Sequence, residues 1–87
     1  MAYAIRFKSS AQRDWERLPR GDQERLAGRI EALANDPRPH NIEPFKGVPQ
    51  AYRFRVGDLR VVFHVDDAAR VVRVLAVGHR KDVYHRR

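Results

Sequence analysis

Between residues 51 and 77 the sequence runs at a period of two, and this limits the fold more than any other feature. AYRFRV, then Gly57-Asp58, then LRVVFHV reads as a β-hairpin closed by a two-residue turn. Asp66-Asp67-Ala68-Ala69 supplies a second turn, and RVVRVLAV, dense in β-branched residues, a third strand. With Val56 set opposite Leu59, Phe54 falls opposite Val61 and Tyr52 opposite Phe63. Successive side chains alternate, so these residues share one side of the sheet. With Val65 opposite Arg70, Phe63 meets Val72, Val61 meets Val74 and Leu59 meets Ala76. One face is then continuously apolar and needs a cover.

The cover lies upstream. Residues 3–8 (YAIRFK) alternate as a half-buried strand, with Tyr3, Ile5 and Phe7 on one side and Arg6 and Lys8 on the other. Ser9 or Ser10 is expected to cap a helix that carries Ala11, Trp15 and Leu18 toward the core. Pro19-Arg20-Gly21 breaks that helix. Asp22 is expected to cap a second one, with Leu26, Ile30 and Leu33 as its apolar stripe and Asn35-Asp36-Pro37 as its stop. A connection holding Pro37, Pro39, Pro44 and Pro49 follows, long enough in so small a domain to suggest a function of its own. The last ten residues, GHRKDVYHRR, form a short basic tail. The expected fold class is α+β, in the order β-α-α-β-β-β. A helical hairpin packs on one face of a small, mainly antiparallel twisted sheet, in a single domain over residues 1–87.

The chain of 87 residues has no cysteine, which excludes a disulfide framework, thiolate metal sites and a cysteine nucleophile. No apolar run approaches the roughly 20 residues that span a bilayer, and the charged, alternating N-terminus does not read as a signal peptide. A soluble, cytoplasmic protein is expected. The four scattered histidines lack metal-ligand spacing, and Asp66 and Asp67 are better read as turn formers. No metal and no cofactor are expected.

Charge gives the first functional clue. Lys and Arg number 18 against 11 Asp and Glu, a net of +7, and all but Lys8, Lys46 and Lys81 of the basic residues are arginine. Residues 1–44 hold eight basic and seven acidic groups, whereas residues 45–87 hold ten and four. A polyanionic partner on the C-terminal half follows. The hairpin register sharpens this. On the face away from the helices Arg55 falls opposite Arg60, Arg53 lies two residues along, and His64 and Arg73 point the same way. Val62, Val71, Leu75 and Val77 interrupt that face, making it mixed apolar and cationic. Like charges directly across a ladder destabilise it, and a bound anion would offset the loss.

The stretch KGVPQAYRFRVGDLRVVFHV, followed by VGHRKDVYHRR, resembles the RelE family of bacterial toxins. More broadly it is similar to the RelE/ParE superfamily of type II toxin–antitoxin systems. YAIRFKSSAQRDWERLP and the helical hairpin match as well, so the resemblance covers nearly the whole chain. YRxRxGxxR and the terminal VGHRxxVY are its most specific parts.

The resemblance implies a ribosome-dependent mRNA endonuclease, an mRNA interferase cutting in the A site. The implied reaction is a metal-free transesterification, in which the ribose 2′-OH attacks the adjacent phosphate and leaves a 2′,3′-cyclic phosphate. The alternative within the superfamily is a ParE-type inhibitor of DNA gyrase without nuclease activity, and a third reading is a toxin-like fold that has lost activity. Arg53 and Arg55 correspond to the family's two lysines, Arg60 to its central-strand arginine, Arg80 to the arginine after the last strand and Tyr84 to its C-terminal tyrosine. Arg60 and Arg80 would stabilise charge on the phosphate, Arg80 matching the family's proposed proton donor, and Tyr84 would stack on a base or ribose. A crowded lysine loses its proton but arginine does not, so Arg55 is a poor general base. His79 and His85 are the candidates to replace it. His64 could reach the same face, and nothing in the sequence argues for His40. Lys46 is a candidate contact to RNA phosphate. The implied partners are the ribosome, through rRNA and A-site mRNA, and a cognate RelB-like antitoxin that wraps an amphipathic, partly acidic segment over the basic surface. The toxin–antitoxin complex is expected to be a higher hetero-oligomer, and no membrane is involved.

Overall fold

The computed structural model describes residues 2–79. Strand β1 (Ala4–Phe7) leads into helix α1 (Ser9–Arg17), which buries Ala11. Lys8 precedes the helix without a side-chain cap, so neither serine caps it from outside; both lie in its first turn. The helix ends because Leu18 is extended, at φ −69° and ψ 142°. A residue preceding proline is pushed out of the helical region by the proline ring. Pro19 then opens α2 (Arg20–Ala32), and Gly21 lies inside this helix rather than breaking it. Asp22 sits in the first turn, where a carboxylate favours the positive end of the helix dipole. Gln23 Nε2 donates to the carbonyl of Trp15 at 2.7 Å and ties the two helices across the corner.

The remaining strands are β2 (Glu43–Pro44), β3 (Ala51–Val56), β4 (Leu59–Asp66) and β5 (Val71–His79). They form one sheet with β1, in the order β1-β5-β4-β3-β2. Only β1 is parallel to its neighbour, β5; the other three pairings are antiparallel. Two helices on one face of this mixed sheet make the α+β fold expected from the pattern. Leu26, Ile30 and Leu33 of the second helix meet Phe54, Leu59, Val61, Phe63, Val65, Val72 and Val74 in one core. Phe63 is fully buried between Tyr52 and Phe54, with ring centroids 5.8 and 6.1 Å away. Trp15 packs on this core from its edge, tilted against Phe7 at 5.7 Å.

The first hairpin has the expected register, with Val56 opposite Leu59, Phe54 opposite Val61 and Tyr52 opposite Phe63. Gly57 alone takes a positive φ there, at 60°, which is the pattern of a turn with glycine at its first central position. The second hairpin corrects the expected register. Val65 pairs with Val72 and Phe63 with Val74, a shift of two residues. The turn is Asp67–Ala68–Ala69–Arg70, held by the Ala69 N–H donating to Asp66 Oδ1 at 3.0 Å, with Arg70 at φ 58°. A shift of two leaves every side chain on its expected face. An irregularity next to Val62 and Phe63 then adds one residue to β5, so that Val62 faces Ala76 and Val61 faces Val77. One extra residue exchanges the faces, and Val77 enters the core rather than the outer face. The tail was expected to begin at Gly78, yet β5 continues through His79.

The long connection after α2 is clasped to the sheet. Arg38 Nη2 pairs with Asp67 Oδ2 at 2.8 Å and also donates to Gln50 Oε1 at 2.8 Å, while Arg38 Nε donates to the Tyr52 hydroxyl at 3.0 Å. Tyr3 Oη donates to Asp67 Oδ1 at 2.6 Å. The hydrogen bond from Arg38, and then that from Tyr3, push the Asp67 carboxyl down from 3.8 to about 2. Asp67 therefore contributes stability that is complete above about pH 4 and is lost as the pH falls from there toward 2. Replacing Asp67 with Asn should lower the urea midpoint at pH 7 and flatten its decline between pH 5 and 2.5. The effect should be modest because the pair is half exposed; urea titrations of both proteins across that range check it.

Candidate functional site

Strand β2 is only two residues long and pairs with Tyr52 and Arg53 alone. Beyond Arg53 the edge of β3 is therefore open among the described residues. At this edge the connection, the second helix and the outer face of the sheet converge on a cleft of about 720 Å³. Arg53, Arg55 and Arg60 line it from the strands; His40, Asn41, Ile42 and Glu43 from the connection; and Arg29 from α2. Buried Phe54 forms part of its floor.

The register explains the concentration of charge. Arg55 and Arg60 are directly opposed across the ladder, on the face away from the helices. Arg53 Nε donates to Glu43 Oε1 at 3.1 Å, which holds the one carboxylate that lines the cleft among the described residues against its cations. Among the described residues Arg55 forms no ion pair and no side-chain hydrogen bond. Four guanidiniums facing one open cleft can grip a phosphate through paired N–H donors. Among the described residues no group of three His, Asp or Glu is placed to hold a metal ion.

The cleft thus joins three of the residues singled out from sequence: Arg53, Arg55 and Arg60. Lys46 is exposed beyond β2 and does not line it. His79 pairs with Leu59, a core residue, so it points to the helix side of the sheet. There its Nε2 lies 3.5 Å from Asp22 Oδ2, away from the Arg55–Arg60 face. His64 is opposite Arg73 on the outer face and lies outside the cleft lining. Arg80, Tyr84 and His85 lie outside the described residues. Sequence reasoning missed Arg29, His40, Asn41 and Glu43. The length of the connection was the one signal for the last three; Arg29, next to Ile30 of the apolar stripe, had none.

A family model described as ParE toxin of type II toxin-antitoxin system, parDE, matches residues 5–84. The chain belongs to this family. Among curated relatives, Toxin RelG of Mycobacterium tuberculosis (strain ATCC 25618 / H37Rv) is 30% identical over 99% of this chain and 100% of its own length. The mRNA interferase toxin RelE of Escherichia coli (strain K12) is 29% identical over 93% of this chain and 86% of its own. Among solved structures, the intact E. coli RelBE toxin–antitoxin complex contains a chain that superimposes with a TM-score of 0.80 at 28% identity. The match covers 90% of this chain and 96% of that one. The protein is a RelE-like toxin of a type II toxin–antitoxin system, and its structural neighbours include toxin–antitoxin complexes. No helix among the toxin's described residues is long and apolar enough to cross a membrane.

The opposed arginines have a measurable cost. Replacing Arg55 with Glu turns a repulsive cross-strand pair into an attractive one, and such pairs are worth roughly 0.2–1 kcal/mol. The toxin should gain stability of about that size while losing affinity for polyanions. Urea unfolding, read beside binding of a single-stranded RNA, checks both halves.

Proposed function

We propose that this toxin is a ribosome-dependent mRNA endonuclease that cuts mRNA in the A site by 2′-OH transesterification, and that an antitoxin neutralises it. The observation that carries this reading is the cleft, where the opposed guanidiniums of Arg55 and Arg60 share a wall with the Glu43 carboxylate. The mRNA interferase activity for which the E. coli relative is named supports it.

In this reading the scissile phosphodiester lies between Arg55 and Arg60, with Arg53 beside it. Glu43, tethered by Arg53, takes the 2′-OH proton. The 2′-oxygen then bonds to phosphorus, negative charge grows on the phosphorane, and the guanidiniums stabilise it without having to reorganise. The bond to the 5′-oxygen breaks and that oxygen is protonated, leaving a 2′,3′-cyclic phosphate and a 5′-hydroxyl. By resemblance Arg80 adds charge beside the leaving oxygen, which takes its proton from water, and Tyr84 stacks on the nucleotide. The antitoxin covers the same cationic surface with an acidic amphipathic segment. The family model's ParE name favours a second reading, inhibition of DNA gyrase without cleavage.

Tightly controlled expression followed by primer extension separates the two. Codon-phased 5′ ends that require ribosomes support the nuclease; intact mRNA with blocked supercoiling supports the gyrase reading. For the nuclease, Arg60→Ala and Arg80→Ala should each lower kcat by about 10²–10³ and leave antitoxin binding, which is spread over a wider surface, mostly intact. Glu43→Gln should lower kcat by about 10²–10⁴ and abolish the acid limb of the pH–rate profile. His79→Ala and His85→Ala, run in parallel, should keep that limb; if one of them loses it instead, that histidine is the proton acceptor.

A further inference from the structure

Arg29 differs from the other arginines of its helix. Arg20 and Arg25 are each paired with an acid one turn away, Arg20 Nε with Glu24 at 3.4 Å and Arg25 Nη1 with Asp22 at 3.6 Å. Arg29 has no ion pair and no side-chain hydrogen bond among the described residues. Its Cζ instead lies 4.5 Å from the centroid of the Phe54 ring, and that ring is held in the core at 5% exposure. A cation over an aromatic face is positioned by the ring quadrupole, and a planar guanidinium there keeps its N–H donors free for another acceptor.

Arg29 also enters the cleft from the opposite side to the strand arginines. Phe54 and Arg55 are neighbours on β3 and point to opposite faces. Arg55 and Arg60 therefore reach the cleft from the outer face, and Arg29 reaches it from the helix layer, around the open strand edge. Cations on both sides of a strand edge match a polyanion that crosses the edge.

We propose that Arg29, held on Phe54, binds a second phosphodiester, the one adjacent to the linkage between Arg55 and Arg60. The cleft's ligand is then a run of at least two phosphates of single-stranded RNA. The identity of the first linkage as the scissile one rests on the nuclease reading above; the second contact does not need cleavage. Arg29 is a positioning residue, which sets where the strand lies and not how the bond breaks.

The test uses the full chain and ribosomes programmed with mRNA that carries a neutral methylphosphonate at one linkage, on either side of the cut. Arg29→Met keeps an unbranched chain over Phe54 and removes the donors; Arg29→Ala removes both. Each variant should raise KM about tenfold with kcat within twofold. In the wild-type toxin, neutralising one of the two adjacent linkages should weaken substrate to the same degree, and in Arg29→Met the same neutralisation should add nothing. A wild-type KM for Arg29→Met, or additive losses from variant and neutral linkage, overturns the proposal. A 2′-deoxy substitution at the cut site gives a second readout, the Kd of uncut complexes. If the wild-type toxin cuts nothing but the neutral linkage still weakens binding only when Arg29 is present, the second phosphate site stands and the nuclease reading falls. If Arg29→Ala does not fold, as far-UV circular dichroism would show, Arg29→Met decides alone.

Discussion

The register of one hairpin, with Arg55 opposite Arg60, underlies the rest of this structure. The Gly57-Asp58 turn is two residues long, which leaves β3 and β4 no freedom to slip. A slip of one residue would bury the arginines and expose Phe54, Val61 and Phe63. The same hydrophobic pattern that builds the core therefore forces two guanidiniums into opposition on the far side. That opposition works against the sheet, and a phosphate between the two groups converts it into attraction.

The rest of the site is brought to that pair by parts of the chain with little regular structure. Strand β2 pairs over two residues and then stops, leaving open the edge where the cleft forms. The connection that supplies His40, Asn41 and Glu43 is secured by Arg38, whose guanidinium reaches Asp67, Tyr52 and Gln50. A clasp of this kind, half exposed and built on one arginine, holds geometry more than it adds stability. It suits a loop that must present a carboxylate at a fixed place beside cations.

Arginine at positions 53, 55 and 60 sets the chemical character of the cleft. Arginine keeps its charge and offers planar, bidentate donors, so the site is strong in binding and charge stabilisation and lacks a lysine that could act as base. Glu43, held by Arg53 at 3.1 Å, sets one carboxylate beside those cations from outside β3 and β4.

Sequence alone determined the order of every element but the two-residue β2, the helical cover, the first hairpin and the face of every residue on β3 and β4. Those features follow from local turn chemistry and side-chain period. It also supplied Arg53, Arg55 and Arg60 as a set, because alternation places them on one face. Tertiary structure decided the second register, where a four-residue turn with Arg70 at positive φ replaced the assumed pairing. It decided too that an extra residue in β5 turns Val77 inward and His79 toward Asp22. Only the packed molecule brought Arg29, His40 and Glu43 to the arginines. A loop's path and a helix's rotation are set by contacts between residues far apart in the chain, and no local period records them.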